Sequence, residues 1–571
     1  MSDPLLEADL ILLHPPSVYD FRERRDVLFA YLGNSDSVAA SAMYEIYPLG
    51  FKSLETYLSH RGFKVRIVNL AALLLSKFDL DVPRFLARLR ARVFGIDLHW
   101  ICHAHGGLAL AGLLKEIHPR TPVLFGGITA TLYREELMGY DPVDMVMEGY
   151  DTLEPVHQLM LALSGKLRIE DVPNLSWKRD GEIVVNAYEH APRSLPLDCA
   201  ADWRPFLASR EKTSPSLMFL PSSGCAYNCG WCGGSREAVR RIFRTRHTVA
   251  AKRPETVLSE IESMAGSPAV RRANIYTINA YNFGPEALDA YLKGLSKAGI
   301  AHASYEQFHL TRPETLRKMV AAAKTTIHIS PESHDPTVSR LAGRGVYSME
   351  EMEDWIQEAL SIGVYGVHVW FFIGMPRQTP SSVFDTVEYA RHLMERFRGR
   401  RVFPLLCPMV PFLDPGSTFF EEPQEHGYRI FFRSLEDHRR ALVAPSWMQR
   451  LNYETVWMSR TEIVEVSYDA VAALTRAKKS AGVLPGTVAD FVLGRLAEAK
   501  DLVFEVDRVH AQEGVGGVAA RLGDRILEYN TRILRGGVSD QIFPIPRQLD
   551  NRWFDEFEVA LDGSGDPARP C

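Results

Sequence analysis

Short, mainly apolar runs alternate with amphipathic stretches from Asp9 to about Gly165: Leu10 to Leu13, Val65 to Val68, Val93 to Ile96, Val123 to Phe125 and Val143 to Met147. A strand covered on both faces needs apolar residues on successive positions, so these runs predict parallel strands. Between the first two, Phe51, Leu54 and Leu58 fall at helical spacing, and Gly62 follows as a helix stop. Five strands with intervening helices predict an α/β, doubly wound, Rossmann-like parallel sheet, whose ligand site lies at the carboxyl ends of its strands.

From about 166 to 212 the pattern is that of a linker with a small hairpin, Asp180-Gly181 turning Leu175 to Trp177 back into Ile183 to Val185. A second alternating series follows, with strand candidates at Leu217 to Leu220, Ala273 to Ile278, His302 to Glu306, Thr326 to Ser330, Val367 to Phe372 and Val402 to Leu406. Six strands with helices between them predict a partial (β/α)6 barrel of TIM type, with its chemistry at the C-terminal strand ends. Beyond about Pro411 the apolar spacing turns mainly helical, and Gly563 to Cys571 reads as a frayed tail. The expected division is 1–165 sheet domain, 166–212 linker, 213–420 partial barrel and 421–571 mainly helical C-terminal domain.

Length agrees with this count, since 571 residues exceed what one hydrophobic core usually serves. With 46% hydrophobic and 24% charged residues, the composition is that of a globular protein rather than a disordered or fibrous one. A net charge of −6 offers no global attraction to phosphate backbones, so no nucleic-acid partner is expected. No run approaches a transmembrane segment, and the acidic first twenty residues do not resemble a signal peptide, so a cytoplasmic location is expected.

The loops at the predicted strand ends carry the candidate ligand contacts of the first domain. They are His14-Pro15-Pro16-Ser17, Asp97-Leu98-His99-Trp100, Gly126-Gly127-Ile128-Thr129-Ala130 and Glu148-Gly149. Gly126 and Gly127 would let backbone approach a ligand closely, although a glycine pair after a strand also makes a tight turn.

Of seven cysteines, three crowd into Ser222-Ser223-Gly224-Cys225-Ala226-Tyr227-Asn228-Cys229-Gly230-Trp231-Cys232, which follows a predicted strand. Clustered thiols in a chain too cysteine-poor for a disulfide scaffold point to metal chemistry. A structural zinc site wants four ligands, and no fourth cysteine or histidine pair is near. Three thiolates on a [4Fe–4S] cluster leave one iron open for a non-protein ligand, for which the amino and carboxylate groups of S-adenosylmethionine (SAM) are the candidate. Cys102, Cys199, Cys407 and Cys571 are scattered, as buried or incidental thiols would be.

With Trp231 before the last cysteine, the loop resembles the signature of the radical SAM superfamily, and the resemblance runs over roughly residues 9 to 420. Thr326 to Glu332 and Leu341-Ala342-Gly343-Arg344-Gly345 resemble that superfamily's fourth barrel strand and following loop, which implies SAM contacts for Ser330, Glu332 and Arg344. Phe372-Ile373-Gly374-Met375-Pro376 resembles its fifth-strand motif along the adenine, which makes Gly374 and Met375 candidates. The first domain's loops, together with Pro48-Leu49-Gly50, resemble the cobalamin-binding domain of the cobalamin-dependent branch. Pro15, Ser17, Leu49, Gly50, His99, Trp100, Gly126, Gly127, Thr129, Glu148 and Gly149 are its candidate contacts.

One departure bears on cobalt. The Asp-x-His-x-x-Gly motif that supplies a lower axial histidine in other cobalamin proteins follows their first strand, where this chain has His14-Pro15-Pro16-Ser17. Asp97-Leu98-His99-Trp100-Ile101-Cys102, after the third strand, ends in Cys where that motif has Gly. No histidine from that motif is therefore expected on cobalt. The expected role of His99 is a buried ring bonded to backbone, and the alternative is that His99 or Trp100 faces the lower side of the corrin.

The resemblance implies three cofactors: a [4Fe–4S] cluster, SAM and cobalamin. It further implies a 5′-deoxyadenosyl radical and, in that branch, methylation of an unactivated carbon of a small-molecule or lipid-like substrate. Rearrangement, ring contraction or cyclisation without methyl transfer is the alternative, and a non-catalytic cobalamin sensor or carrier is the reading of another class. A one-electron reductant such as flavodoxin or ferredoxin is the expected partner. Phe412, Phe419, Phe420, Trp447, Tyr453 and Trp457 either line an apolar substrate pocket or form plain core.

Overall fold

The computed structural model describes residues 7–32, 49–191, 199–204, 216–264, 274–344, 346–408 and 413–535. Pro48, Ala273, Gly345, Pro411, Phe412 and the tail from Gly563 to Cys571 lie outside them.

The first sheet is built from β1 (Glu7–His14), β2 (Val65–Asn69), β3 (Arg90–Asp97), β4 (Val123–Gly126), β5 (Met145–Met147), β6 (Leu175–Arg179) and β7 (Glu182–Val185), in the order β2-β1-β3-β4-β5-β6-β7. The first five are parallel. Leu10 and Leu12 enter one core and Ile11 and Leu13 another, which is why the run has no polar alternation. The chain leaves β1 for a neighbour on one side and then crosses to β3 on the other. This topological switch opens a crevice beyond the carboxyl ends of β1 and β3.

Two sequence expectations change here. The fifth strand starts at Met145 rather than Val143, because Val143 closes a turn onto the Tyr140 carbonyl. The hairpin read as part of a linker adds two antiparallel strands to the sheet, with Met147 beside Leu175. Its turn residues Asp180 and Gly181 both have positive φ, 52° and 87°, as a tight two-residue hairpin requires.

The second sheet holds six parallel strands in the order β15-β14-β13-β12-β11-β8. They are β8 (Ser216–Phe219), β11 (Asn274–Thr277), β12 (His302–Gln307), β13 (Lys324–Glu332), β14 (Gly366–Ile373) and β15 (Val402–Pro408), with a short antiparallel pair, β9 (Ser222–Gly224) and β10 (Val249–Ala251), between the first two. Ile275, Ala303, Ile327, Val367 and Val369 pack in the core. The alternate positions face the lumen, where the Tyr276 ring lies 5.1 Å from that of His328, across the intervening β12.

From residue 421 to 535 the chain is mainly helical, with Arg460–Ser480 and a long pair, Gly486–Arg535, broken at Gly514 where φ is 70°. A small antiparallel pair, β16 (Tyr428–Ile430) and β17 (Tyr453–Thr455), also stands there. Among the described residues this part shares its core with the barrel, Val464, Val471, Leu474, Val492 and Val503 lying in one apolar cluster with it. It also holds the segment after β1: Asn530 accepts from Phe29 N and donates to Val27 O, both at 2.8 Å. No helix among the described residues is long and apolar enough to cross a membrane.

Candidate functional site

The three-cysteine loop leaves β9 through Gly224, whose φ is 80° and where a Cβ would lie 2.1 Å from the Thr248 carbonyl oxygen. Only glycine makes that turn without displacing β10. Cys225 and Cys229 are buried and Cys232 is half-buried. Backbone N–H groups already face two sulfurs: Tyr227 N donates to Cys225 Sγ and Gly234 N to Cys232 Sγ, each at 3.3 Å. Burial pushes the Cys229 thiol up to about 12 and the Cys232 thiol well up. Thiolates in such a place call for a cationic partner, and that donor set fits an iron–sulfur cluster.

Two further segments wall in the loop. A Cβ at Gly343 would lie 2.3 Å from Asn228 O, and one at Gly230 would meet the Phe419 ring. The stretch after β13 thus packs directly on the cysteine loop. Trp231 lies against Phe372, ring centroids 5.6 Å apart.

At the end of β13 the register shifts between Ile329 and Glu332, and Glu332 adopts φ 70°, a conformation costly for a non-glycine residue. The shift presents Glu332 to Arg344, whose Nε donates to Oε1 at 2.8 Å. Arg344 is buried rather than solvated, stacked 3.1 Å above the Phe308 ring. Burial raises the Glu332 carboxyl, which Arg344 opposes. Glu332 Oε2, Arg344 Nη1 and Tyr347 Oη are buried with no hydrogen-bond partner among the described residues. Orphaned acceptors and donors beside the cysteine loop fit a ligand carrying both, as the aminocarboxylate and ribose of SAM do. Ser330 is buried on the same strand.

Gly374 has φ 96°, with Tyr453 Oη only 2.5 Å from the place of a Cβ, and its carbonyl accepts from Tyr428 Oη at 2.9 Å. Met375 is fully buried in the barrel core. Phe419, Phe420, Trp447 and Tyr453 are core as well, and Trp457 is half-buried.

In the first domain, Pro15, Ser17, Thr129 and Glu148 are buried, Leu49 is half-buried and Gly50 is exposed at a helix start. Burial raises the Glu148 carboxyl, which lies 3.8 Å from Arg134 Nη1. Gly149, at φ 132°, donates its N–H to Thr131 Oγ1. The close neighbour of Gly127 is the chain itself: at φ 114°, a Cβ there would lie 2.5 Å from His99 N and Cα. Gly126 has nothing nearer than Met147 O at 3.9 Å. His99 corrects its expectation, since its ring bonds the Asp97 carboxylate rather than backbone and its side chain is 41% exposed. Burial disfavours a charged His99, but Asp97 outweighs it and raises the imidazole, while the two histidines beside it hold Asp97 well below the carboxylate range.

One residue outside the sequence-derived candidates joins the halves. Asp414 Oδ1 accepts from Trp100 Nε1 at 2.7 Å and Oδ2 from Gly233 N at 2.9 Å, tying the loop after β3 to the residue after Cys232. Tyr281 Oη, 3.3 Å from Cys225 Sγ, was missed, as was Phe308. Both follow carboxyl ends of barrel strands, β11 and β12, the one signal that could have found them.

Asp414 thus ties a loop at the carboxyl end of the first sheet to the cysteine loop of the second. Residues 36–156 match the model of the B12 binding domain, and residues 219–390 match that of the radical SAM superfamily. The chain is therefore a cobalamin-binding radical SAM enzyme, with cobalamin, a [4Fe–4S] cluster and SAM as its cofactors. Its fold is similar to that of the radical SAM methyltransferase TsrM from Kitasatospora setae, solved with tryptophan substrate and a SAM analogue (TM-score 0.56, 14% identity, 82% of this chain and 89% of that one). It is similar, too, to the cobalamin-dependent SAM radical enzyme OxsB (TM-score 0.56, 12% identity, 97% of this chain and 84% of that one). An oxygen-independent coproporphyrinogen III oxidase of Bradyrhizobium diazoefficiens is 26% identical over 214 residues, 35% of this chain, which spans only 45% of that relative's length.

If Glu332 serves SAM, Glu332→Ala is expected to weaken SAM binding and slow 5′-deoxyadenosine release, with cobalamin content near wild type. It also leaves Arg344 buried without its partner, a loss of about 3–5 kcal/mol. Equilibrium dialysis with labelled SAM and a thermal melt check both halves, and a loss of corrinoid would contradict the division of labour.

Proposed function

We propose that this enzyme methylates an unactivated carbon of a small-molecule substrate held at the barrel mouth. The observation that carries the reading is the Asp414 bridge, which ties the loop after β3 to the residue that follows the cysteine loop. When bound, the cofactors supply one-electron cleavage of a sulfonium and a transferable methyl group. Cys225, Cys229 and Cys232 would hold the cluster, Glu332, Ser330 and Arg344 the polar end of SAM, and the loops after β1, β3, β4 and β5 the corrinoid. Asp414 keeps the two edges in register, and the facing domains exclude water from the space between.

The lumen below speaks to the substrate. His328 and His368 stack at 4.4 Å, and Trp370 Nε1 donates to His328 Nδ1 at 3.2 Å. Burial pushes His328 down to about 3 and, with Lys324 and Arg401 nearby, His302 down to about 4. Near neutral pH these rings carry no charge, which suits an uncharged substrate face with hydrogen-bonding groups. Of the aromatics offered as an apolar pocket, Phe419, Phe420, Trp447 and Tyr453 are core, so these four do not support a lipid-like substrate. A cytoplasmic one-electron donor of flavodoxin or ferredoxin type completes the cycle.

The test is comparative mass spectrometry of a deletion strain and its parent, both fed methyl-deuterated methionine. The expected result is a parent metabolite carrying a deuterated methyl group, replaced in the deletion by a species lighter by one methylene. A deletion species isomeric with the parent product would favour rearrangement or cyclisation. Reconstituted protein that binds all three cofactors but never cleaves SAM would favour the sensor.

A further inference from the structure

Where strand order reverses, the loops after β1 and β3 meet on one carboxylate. Asp97 Oδ1 accepts the backbone N–H of His99 at 3.0 Å, while Oδ2 accepts His99 Nδ1 at 2.8 Å and His14 Nδ1 at 2.9 Å. A ring nitrogen facing an ionised carboxylate carries the proton, so the neutral His99 ring keeps its lone pair on Nε2. The two histidines differ in access. His14 is fully buried, edge-on to His103 at 4.7 Å. The His99 side chain is 41% exposed, and its Nε2 makes no hydrogen bond among the described residues.

The position of that ring is determined from both sides. Leu98 N donates to Gly126 O at 2.9 Å and Ala130 N to Leu98 O at 3.2 Å, while Gly127 lies flat against the His99 backbone. Two residues of one turn, Asp97 and His99, therefore present a single oriented nitrogen at the switch-point crevice, where doubly wound sheets bind their ligands. A carboxylate on Nδ1–H with Nε2 left open is the arrangement that stands behind metal-bound histidines, where it fixes the tautomer and strengthens the donor. The group this domain takes carries cobalt.

We infer that His99 coordinates the cobalt of the corrinoid through Nε2, with Asp97 orienting the ring. His99 has this role only if the domain binds cobalamin. It then stands in, from the loop after β3, for the ligand that the loop after β1 lacks. Asp97 is a positioning residue, since it reaches the metal only through His99.

The test uses the full-length protein loaded with cobalamin, reduced to the cobalt(II) form and studied by electron paramagnetic resonance. A single axial nitrogen splits the cobalt lines into triplets. In protein grown on histidine carrying the heavy nitrogen isotope, the triplets should become doublets, which separates a protein imidazole from the corrinoid's own nucleotide base. His99→Ala and His99→Gln should lose the doublets while corrinoid absorbance shows the cofactor still bound, and added imidazole should restore a split spectrum to His99→Ala. Three results would overturn the ligand: unsplit lines in loaded wild type, triplets indifferent to the histidine label, or doublets that survive both substitutions. Wild-type protein that holds no corrinoid would instead overturn cobalamin binding itself, and His99 with it.

Discussion

Protein carrying Cys225→Ala, Cys229→Ala and Cys232→Ala together is expected to hold no iron after anaerobic reconstitution, against about four irons per chain in the wild type. SAM cleavage should vanish with it, while cobalamin content stays near wild type. The three side chains stand on one loop whose backbone N–H groups already face two of the sulfurs. Each substitution removes one sulfur from a small site, a cost of about 1 kcal/mol, too little to unfold the barrel. Iron analysis, corrinoid absorbance and a thermal melt on the same preparation separate loss of the cluster from loss of the fold. A full cluster in the triple variant would refute the site. Single replacement of Cys102, Cys199 or Cys407 is expected to leave iron content unchanged.

The parts of this protein that were legible in the sequence are those where one residue type is forced by one local requirement. The strand cores had to be apolar on both faces, and Leu10 to Leu13 announce that directly. The cysteine spacing is read without a fold, because ligand identity and loop length are both local. The hairpin was legible as a hairpin from Asp180-Gly181, but not as part of the sheet, since its pairing with β5 is a tertiary choice made by Met147 and Leu175. The helical C-terminal stretch was legible as helix. That its apolar faces complete the barrel core could not be read, because nothing local says which partner covers an amphipathic face.

In the site, what stayed hidden was pairing over long distances in the chain. Arg344 is legible in the sequence only as a loop charge that the resemblance offers to SAM. Only the shifted end of β13 and the Phe308 ring make it a buried partner of Glu332. Asp414 looks like a turn residue between Leu413 and Pro415, yet it bonds Trp100, 314 positions away, and Gly233. His99 was visible as a candidate, but its carboxylate partner, its access and its open nitrogen depend on β1 and β3 lying side by side.

The glycine pair after β4 shows how far the two readings part. From sequence, Gly126 and Gly127 are equivalent, but the structure predicts opposite outcomes for them. Gly127→Val is expected to remove cobalamin binding and to lower the melting temperature. Its φ of 114° suits glycine alone, and the first side-chain atom would stand 2.5 Å from the His99 backbone, which has no flexible end that could move aside. A strained backbone costs about 1–3 kcal/mol, and overpacking about 1–3 kcal/mol more. Relief would come from pushing the loop after β3 off its place, carrying His99 and Trp100 with it, and with Trp100 the bond to Asp414. Gly126→Ala, with no atom nearer than 3.9 Å to meet and no positive φ, should retain both corrinoid and stability within about 0.5 kcal/mol. Corrinoid absorbance per chain and a thermal melt, run on both variants in parallel, read the contrast. Equal losses at the two positions would mean that the ligand, rather than the His99 backbone, sets the requirement for glycine there.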